Sequence, residues 1–342
     1  MNYRLLGRTG LKVSELCLGT MTFGSRFLSI GVVDQAGANA MVRRALDAGV
    51  NFFDTADLYS YGESEEILGA ALKQSGAPRE SVVVATKVFA PMSQAAVAGQ
   101  GDPNSRGLSR QHILRGCEAS LRRLGTDYID LYQVHGWDVA TPAEEPLRAL
   151  DDLVRQGKIL YAGCSNWPAR HVMKALCLAD AHGWARFVSL QAYYSLAGRD
   201  LEHELMPLCR EQGLAVLPWS PLSGGFLTGK FRRNQEGPAG ARRTAFHFPP
   251  MDERVYDAVD ALDAVARERG TTVPQVALAW LLAQPGVTSV IVGANRMEQL
   301  EDNLKAAELR LTDEEITRLS ATTAPATLYP QWMVERQNSG RL

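Results

Sequence analysis

Three stretches decide the fold: Asn51-Phe52-Phe53-Asp54-Thr55-Ala56-Asp57-Leu58-Tyr59, Val82-Val83-Val84-Ala85-Thr86-Lys87 and Ile129-Asp130-Leu131-Tyr132-Gln133-Val134-His135. Each is a short apolar run that closes on a polar residue, and helix-like sequence follows each one. Parallel α/β barrels collect catalytic groups at the carboxyl ends of successive strands. Asp54, Tyr59, Lys87 and His135 are therefore expected to meet in one mouth.

Five more runs of the same kind lie at 15–19, 159–164, 187–191, 215–218 and 289–292, which makes eight expected strands. Amphipathic segments at 35–48, 63–73, 110–121, 146–156, 170–181, 202–212 and 299–307 separate them, several closing on a glycine such as Gly125 or Gly183. Eight strands alternating with helices, without a break in composition, favour a closed (β/α)8 TIM barrel over a doubly wound sheet. Ahead of the first strand, Gly7-Arg8-Thr9-Gly10 sits between two short apolar segments and reads as a β-hairpin plugging the amino-terminal face. The expected organisation is one domain over 1–342: hairpin 1–14, barrel 15–307, and a carboxyl-terminal helix and tail, 308–342, over the active site. Segments 89–108, 222–252 and 324–342 exceed what a minimal barrel needs and are expected at its carboxyl-terminal face.

A hydrophobic share of 46% with 22% charged residues is that of an ordinary globular chain. Lys plus Arg total 36 against 38 Asp plus Glu, with no long block of either sign, which gives no footprint for nucleic acid or an anionic membrane. The amino terminus lacks the apolar core of a signal peptide, and no apolar run approaches membrane-spanning length. A cytoplasmic protein is expected. Cysteines 17, 117, 164, 177 and 209 show no metal-site spacing, so no metal is expected. The partner is expected to be a small molecule, and self-association is left open.

Tyr59 is the natural acid of the four, since a phenol of ordinary pKa about 10 keeps its proton at neutral pH. A lysine ammonium about 4 Å away at an effective dielectric near 20 is worth roughly 4 kcal/mol to the phenolate as an upper limit. Asp54 would hold Lys87 charged and aimed, and His135 would offer a hydrogen bond to a substrate oxygen. Such a set moves a proton onto a carbonyl oxygen as it becomes an alkoxide. Hydride must come from a cofactor, and a nicotinamide is the simplest source. No Gly-x-Gly-x-x-Gly follows a strand. Gly224-Gly225-Phe226-Leu227-Thr228-Gly229-Lys230 fits seven positions of a phosphate-binding loop, but Phe231 stands where a magnesium-binding Ser or Thr belongs. The loop is expected to wrap a pyrophosphate, not to hydrolyse a triphosphate.

The ordered set Gly19-Thr20-Met21-Thr22-Phe23-Gly24, Phe53-Asp54 to Tyr59 with Gly62-Glu63-Ser64-Glu65, Thr86-Lys87, Asp130 to His135, Gly163-Cys164-Ser165-Asn166, Gln191, Pro218-Trp219-Ser220-Pro221-Leu222 and Ile291-Val292-Gly293-Ala294-Asn295-Arg296 with Gln299 and Asn303 resembles the aldo-keto reductase superfamily. It is most similar to the bacterial reductases related to potassium-channel β subunits. The resemblance implies a catalytic tetrad of Asp54, Tyr59, Lys87 and His135, with Tyr59 the acid, and NADPH or NADP+ as cofactor. It implies that Ser165, Asn166 and Gln191 hold the nicotinamide carboxamide and that Trp219 stacks on its ring. Ser220, Pro221, Leu222, Gly224 and Lys230 would line the pyrophosphate path, with Gly19, Thr20, Met21 and Gly293 also against the cofactor. Asn295 and Arg296 would meet the 2′-phosphate, and Gln299 and Asn303 the adenine. Where some members carry a Lys-Ser pair this chain has Gly293-Ala294, so the preference for NADPH rests mostly on Arg296. Phe23, Phe89, Trp137 and Trp332, with Tyr59 and His135, are expected to line the substrate pocket.

The expected activity is reversible NADPH-dependent reduction of an aldehyde or ketone, with the long loops suggesting a bulky alicyclic, xenobiotic or toxin ketone. Two other readings are a cofactor-sensing, channel-subunit-like regulator with slow turnover, and a barrel lyase or isomerase using Lys87 as a Schiff-base amine.

Overall fold

All eight expected strands form, each parallel to its neighbours, in the computed structural model, which describes residues 1–25, 32–234 and 253–341. A hairpin of β1 (Tyr3–Leu5) and β2 (Lys12–Ser14) precedes them. The barrel strands are β3 (Leu16–Gly19), β4 (Phe52–Asp54), β5 (Val83–Val88), β6 (Ile129–Val134), β7 (Ile159–Ser165), β8 (Phe187–Tyr193), β9 (Ala215–Trp219) and β10 (Val290–Val292). They pair in the order β10-β3-β4-β5-β6-β7-β8-β9. The remaining gap between β9 and β10 is bridged where the Thr288 N–H donates to the Val216 carbonyl at 2.9 Å.

Strands buried on both faces read as near-continuous apolar runs, yet their alternation still separates two cores. Cys17, Phe52, Val83, Ala85, Leu131, Ala215, Leu217 and Ile291 point inward and pack with Leu6 and Val13 of the hairpin. The intervening Leu16, Leu18, Phe53, Val84, Tyr132, Leu190, Val216 and Val292 face the surrounding helices. Several strands run past their expected ends. Pairing of Lys87 with Gln133 and of Val88 with Val134 carries β5 through Lys87 to Val88. Lys87 is therefore held inside the sheet, not just beyond it.

The expected helices are present at Gln35–Asp47, Glu63–Ser75, Arg110–Leu124, Glu144–Arg155, Ala169–His182, Leu205–Gln212 and Met297–Lys305. Glu144–Arg155 starts two residues before Pro146, because a proline fits the first helical turn, where its missing N–H is no loss. Further helices not read from the sequence span Arg254–Arg269 and Val273–Leu282. Beyond the barrel, Asp313–Thr322 starts on a reciprocal Thr312–Glu315 cap and docks on Arg254–Arg269 through a two-bond Arg269–Glu315 ion pair at 2.6 and 2.7 Å. Segment 89–108 holds one short helix, Gln94–Val97, and its ends are pinned by the Gly107 N–H on the Phe89 carbonyl at 2.7 Å. Of the expected 222–252 loop, 235–252, with His247, lies outside the described residues.

The hairpin closes the amino-terminal face. Leu6 and Val13 are fully buried there, and Arg4 donates to the Val287 carbonyl at 2.6 Å and the Leu282 carbonyl at 2.9 Å. Replacing Leu6 by Ala should cost about 2–5 kcal/mol, the range for emptying a buried leucine site. Urea unfolding of the variant checks it; a loss under about 1 kcal/mol would mean the plug contributes little to the core.

Candidate functional site

The inward parity that builds the lower core continues upward into a polar layer. Two residues above Phe52 comes Asp54, above Ala85 comes Lys87, above Leu131 comes Gln133, and β8 contributes Gln191. All four are essentially buried. Lys87 Nζ donates to Asp54 Oδ1 at 2.6 Å, to the Thr55 carbonyl at 2.8 Å and to the Tyr59 hydroxyl at 3.3 Å. Those three acceptors match the three protons of an ammonium. Burial alone would pull its pKa down, but Asp54 first and Tyr59 second outweigh that and hold Lys87 above its ordinary value. A lysine kept charged in this way is a poor Schiff-base nucleophile, which argues against the lyase or isomerase reading.

Tyr59 is aimed by an unusual turn. Ser60, Tyr61 and Gly62 follow it in the left-handed region, with φ of 49°, 54° and 93°. For the two residues with side chains this costs on the order of 1–2 kcal/mol each. The turn is held by Ser60 Oγ donating to the Phe23 carbonyl at 3.1 Å and by Arg123, whose Cδ would lie 2.6 Å from a Cβ at position 62. Arg123 is itself fixed on the buried Glu65 carboxylate at 2.6 Å. Strain of this kind concentrates beside functional groups.

His135 directly follows β6, its backbone N–H on the Val88 carbonyl and its ring edge-on to Tyr59 at 5.9 Å. Desolvation, then the Lys87 ammonium, push its pKa down to about 3, so it is a neutral imidazole at physiological pH.

A cavity of about 920 Å³ opens over this layer. Every residue assigned to the cofactor lines it: Gly19, Thr20, Met21 and Asp54; Ser165, Asn166 and Gln191; Trp219, Ser220, Pro221, Leu222, Gly224 and Lys230; Gly293, Asn295, Arg296, Gln299 and Asn303. Asn166, at φ 57°, ties the wall together by donating to Ser165 Oγ and the His135 carbonyl and accepting from Trp219 Nε1 at 3.0 Å. The 220–229 loop winds through left-handed positions at Ser220, Ser223, Gly224, Gly225 and Gly229, with the Gly224 N–H on Ser220 Oγ at 3.0 Å. Lys230 is pulled down by burial and by neighbouring Arg296. Two cations that repel one another beside a glycine-rich loop and an indole fit a ligand that brings both phosphate and an aromatic ring.

Of the residues expected at the substrate pocket, Tyr59 and His135 line this cavity, whereas Phe23, Phe89, Trp137 and Trp332 are not among its lining residues. Phe23 is fully buried in the helix-facing core, and Phe89 packs against that core. Trp137 stacks on His171 at 3.8 Å and meets Trp167 edge-on at 4.7 Å. Trp332, 45% exposed, belongs to Gln331–Gln337, a helix without a buried residue. Conversely, Thr22, Leu58, Thr228, Pro274 and Asp302 line the cavity without having been singled out, and Gln133 escaped notice beneath it. Its sequence signal was a glutamine on the inward parity between Leu131 and His135. Among the described residues no cluster suited to a metal occurs, and no helix is long and apolar enough to cross a membrane.

Comparison with known proteins follows the same outline. The Aldo/keto reductase family model matches residues 15–324, which is the barrel and the helix docked beside it without hairpin or tail. An uncharacterized oxidoreductase of Bacillus subtilis, YrpG, is 41% identical over 93% of this chain and 94% of its own. The versiconal hemiacetal acetate reductase of Aspergillus parasiticus is 36% identical over 96% of this chain and 99% of its own. A probable voltage-gated potassium channel subunit beta of Oryza sativa subsp. japonica is 38% identical over 94% and 96%.

The His135 shift carries a pH consequence. Between its ordinary 6.5 and about 3 the unfolded chain binds a proton that the folded protein refuses. His135 therefore adds stability above that window, and the contribution is lost as pH falls through it. Imidazole NMR, with the signal assigned by its loss in His135→Gln, should show no titration between about pH 8 and 5. A midpoint near 6.5 would mean that the ring is solvated and free of the Lys87 charge.

Proposed function

The chain belongs to the aldo/keto reductase family, and from that premise we propose that it reduces an aldehyde or ketone to the alcohol with NADPH, reversibly, using Tyr59 as the acid. The single observation that carries the reading is the third proton of a charged, buried Lys87 resting on the Tyr59 hydroxyl. Ser165, Asn166 and Gln191 would hold the carboxamide and Trp219 the ring. Ser220, Leu222, Gly224 and Lys230 would follow the pyrophosphate, Asn295 and Arg296 the 2′-phosphate, and Gln299 and Asn303 the adenine. A reduced nicotinamide held there would supply the hydride.

The protein's own work is the proton. As the carbonyl oxygen gains charge, Tyr59 gives it the phenolic proton, and the cation 3.3 Å away stabilises the phenolate left behind. Asp54 keeps that cation in place. Neutral His135 can donate one N–H to the same oxygen without competing for the transferred proton. In the oxidative direction the phenolate takes the proton back.

For substrate we favour a ketone or aldehyde bulkier than a sugar aldehyde, of the alicyclic, xenobiotic or toxin-related kind; similarity to a reductase of versiconal hemiacetal acetate supports this. We place the enzyme in the cytoplasm as a single barrel domain. A second reading, a regulatory subunit that senses cofactor, draws on the similarity to the rice channel subunit. Loss of nicotinamide absorbance with a panel of carbonyls separates the two, since a sensor would bind NADPH tightly and turn over very slowly.

Tyr59→Phe keeps the ring and removes the donor, so reduction should fall by roughly 10²-fold or more with NADPH affinity little changed. More than half the wild-type rate would move the acid elsewhere, to His135 first. Arg296→Ala removes a guanidinium suited to a forked phosphate contact, which should weaken NADPH by about 10- to 150-fold, the equivalent of 1.5–3 kcal/mol. NADH should barely change. Equal weakening of both, in paired fluorescence titrations, would place 2′-phosphate recognition on other residues, with Asn295 and Lys230 next to test.

A further inference from the structure

Asp54 has two carboxylate oxygens, and the Lys87 contact uses only Oδ1. Oδ2 accepts from Gln191 Nε2 at 2.9 Å and from Gln133 Nε2 at 3.2 Å, while Gln191 Nε2 also approaches Gln133 Oε1 at 3.4 Å. Gln133 is fully buried on the inward face of β6. The barrel makes room for it, because a Cβ at Gly163 on the adjoining β7 would lie 3.1 Å from Gln133 Cγ and 2.5 Å from Ser189 Oγ. A long polar side chain buried inside the barrel is costly unless its hydrogen bonds are made, and here they are made on the carboxylate that holds the lysine.

We infer that Gln133 is a positioning residue for proton transfer: its amide clamps the far oxygen of Asp54, and through Asp54 it sets where the Lys87 ammonium meets Tyr59. This rests on the proton-transfer role proposed for Tyr59 and adds a residue that touches neither substrate nor cofactor. Without the clamp, a carboxylate short of one donor can swing about its side-chain bonds and draws more of the ammonium's charge to itself. Both changes weaken the cation at the phenol, so both make Tyr59 harder to ionise.

Gln133→Met retains length and packing while deleting the amide. The readout is the alkaline titration of tyrosinate absorbance, taken as wild type minus Tyr59→Phe and again as Gln133→Met minus Gln133→Met/Tyr59→Phe. The other nine of the ten tyrosines cancel in each difference. The Tyr59 transition should move upward by about one pH unit in the Gln133→Met pair, the scale of losing a hydrogen-bonded charge alignment. Should Gln133→Met fail to fold, Gln133→Asn, polar but too short to reach Asp54, carries the same expectation. A transition that stays where it is in a folded variant overturns the inference, including when the melting temperature falls, because a merely structural glutamine would change stability alone. The titration needs no substrate. It thus supports or overturns the role of Gln133 independently of whether the carbonyl panel shows turnover.

Discussion

The buried ion pair of Lys87 and Asp54 is the constraint on which the site depends. Lys87 is fully buried and Asp54 nearly so, and a charge left alone in such a place costs several kcal/mol. Asp54 therefore holds Lys87 ionised, and the barrel supplies further hydrogen-bonding partners around the pair. It does so from different strands: Thr55 just after β4, Gln133 on β6, Gln191 on β8, and Tyr59 from the loop beyond β4. The candidate acid is in this sense the last acceptor of a network closed on all other sides. Removing any member disturbs a fixed set of distances, which ties stability and chemistry to the same bonds.

Around that rigid floor the walls are built from strained or special backbone. Left-handed residues occur at Ser60, Tyr61, Asn166, Ser220 and Ser223, all on loops leaving the carboxyl ends of strands. The barrel below supplies the packing that tolerates them. Loops that carry such conformations can present backbone N–H groups and side-chain amides toward a ligand in ways that a regular helix or strand cannot.

Much of this was legible in the sequence because parallel strands buried on both faces leave an unbroken apolar run whose end is easy to see. Asp54, Lys87 and His135 sit at such ends, and their order identifies the family. The residues expected to hold a cofactor were read by likeness of motif, and they line one cavity. Less was legible where a residue's place depends on a neighbour distant in sequence. Nothing local in the sequence shows that Trp137 packs against His171 and Trp167. Gln133 lies in the strand between Asp130 and His135, yet nothing local distinguishes a clamp on Asp54 from an ordinary strand glutamine. Helix Val273–Leu282 was missed because it is apolar all round, and so lacks the amphipathic period that marks a surface helix.

The hairpin has a meaning for how the chain is made as well as for how it is packed. Arg4 reaches carbonyls at 282 and 287, Ser289 Oγ donates to the Ser14 carbonyl, and β10 pairs with β3. The hairpin residues thus wait for β10 and the segment just before it, made nearly three hundred residues later, before they can dock. Until that strand emerges, β3 and β9 present unpaired edges of the kind that recruit foreign strands. Closure joins the first and last strands of the barrel in a single late event, and synthesis interrupted before β10 would leave a sticky open sheet instead of a smaller barrel.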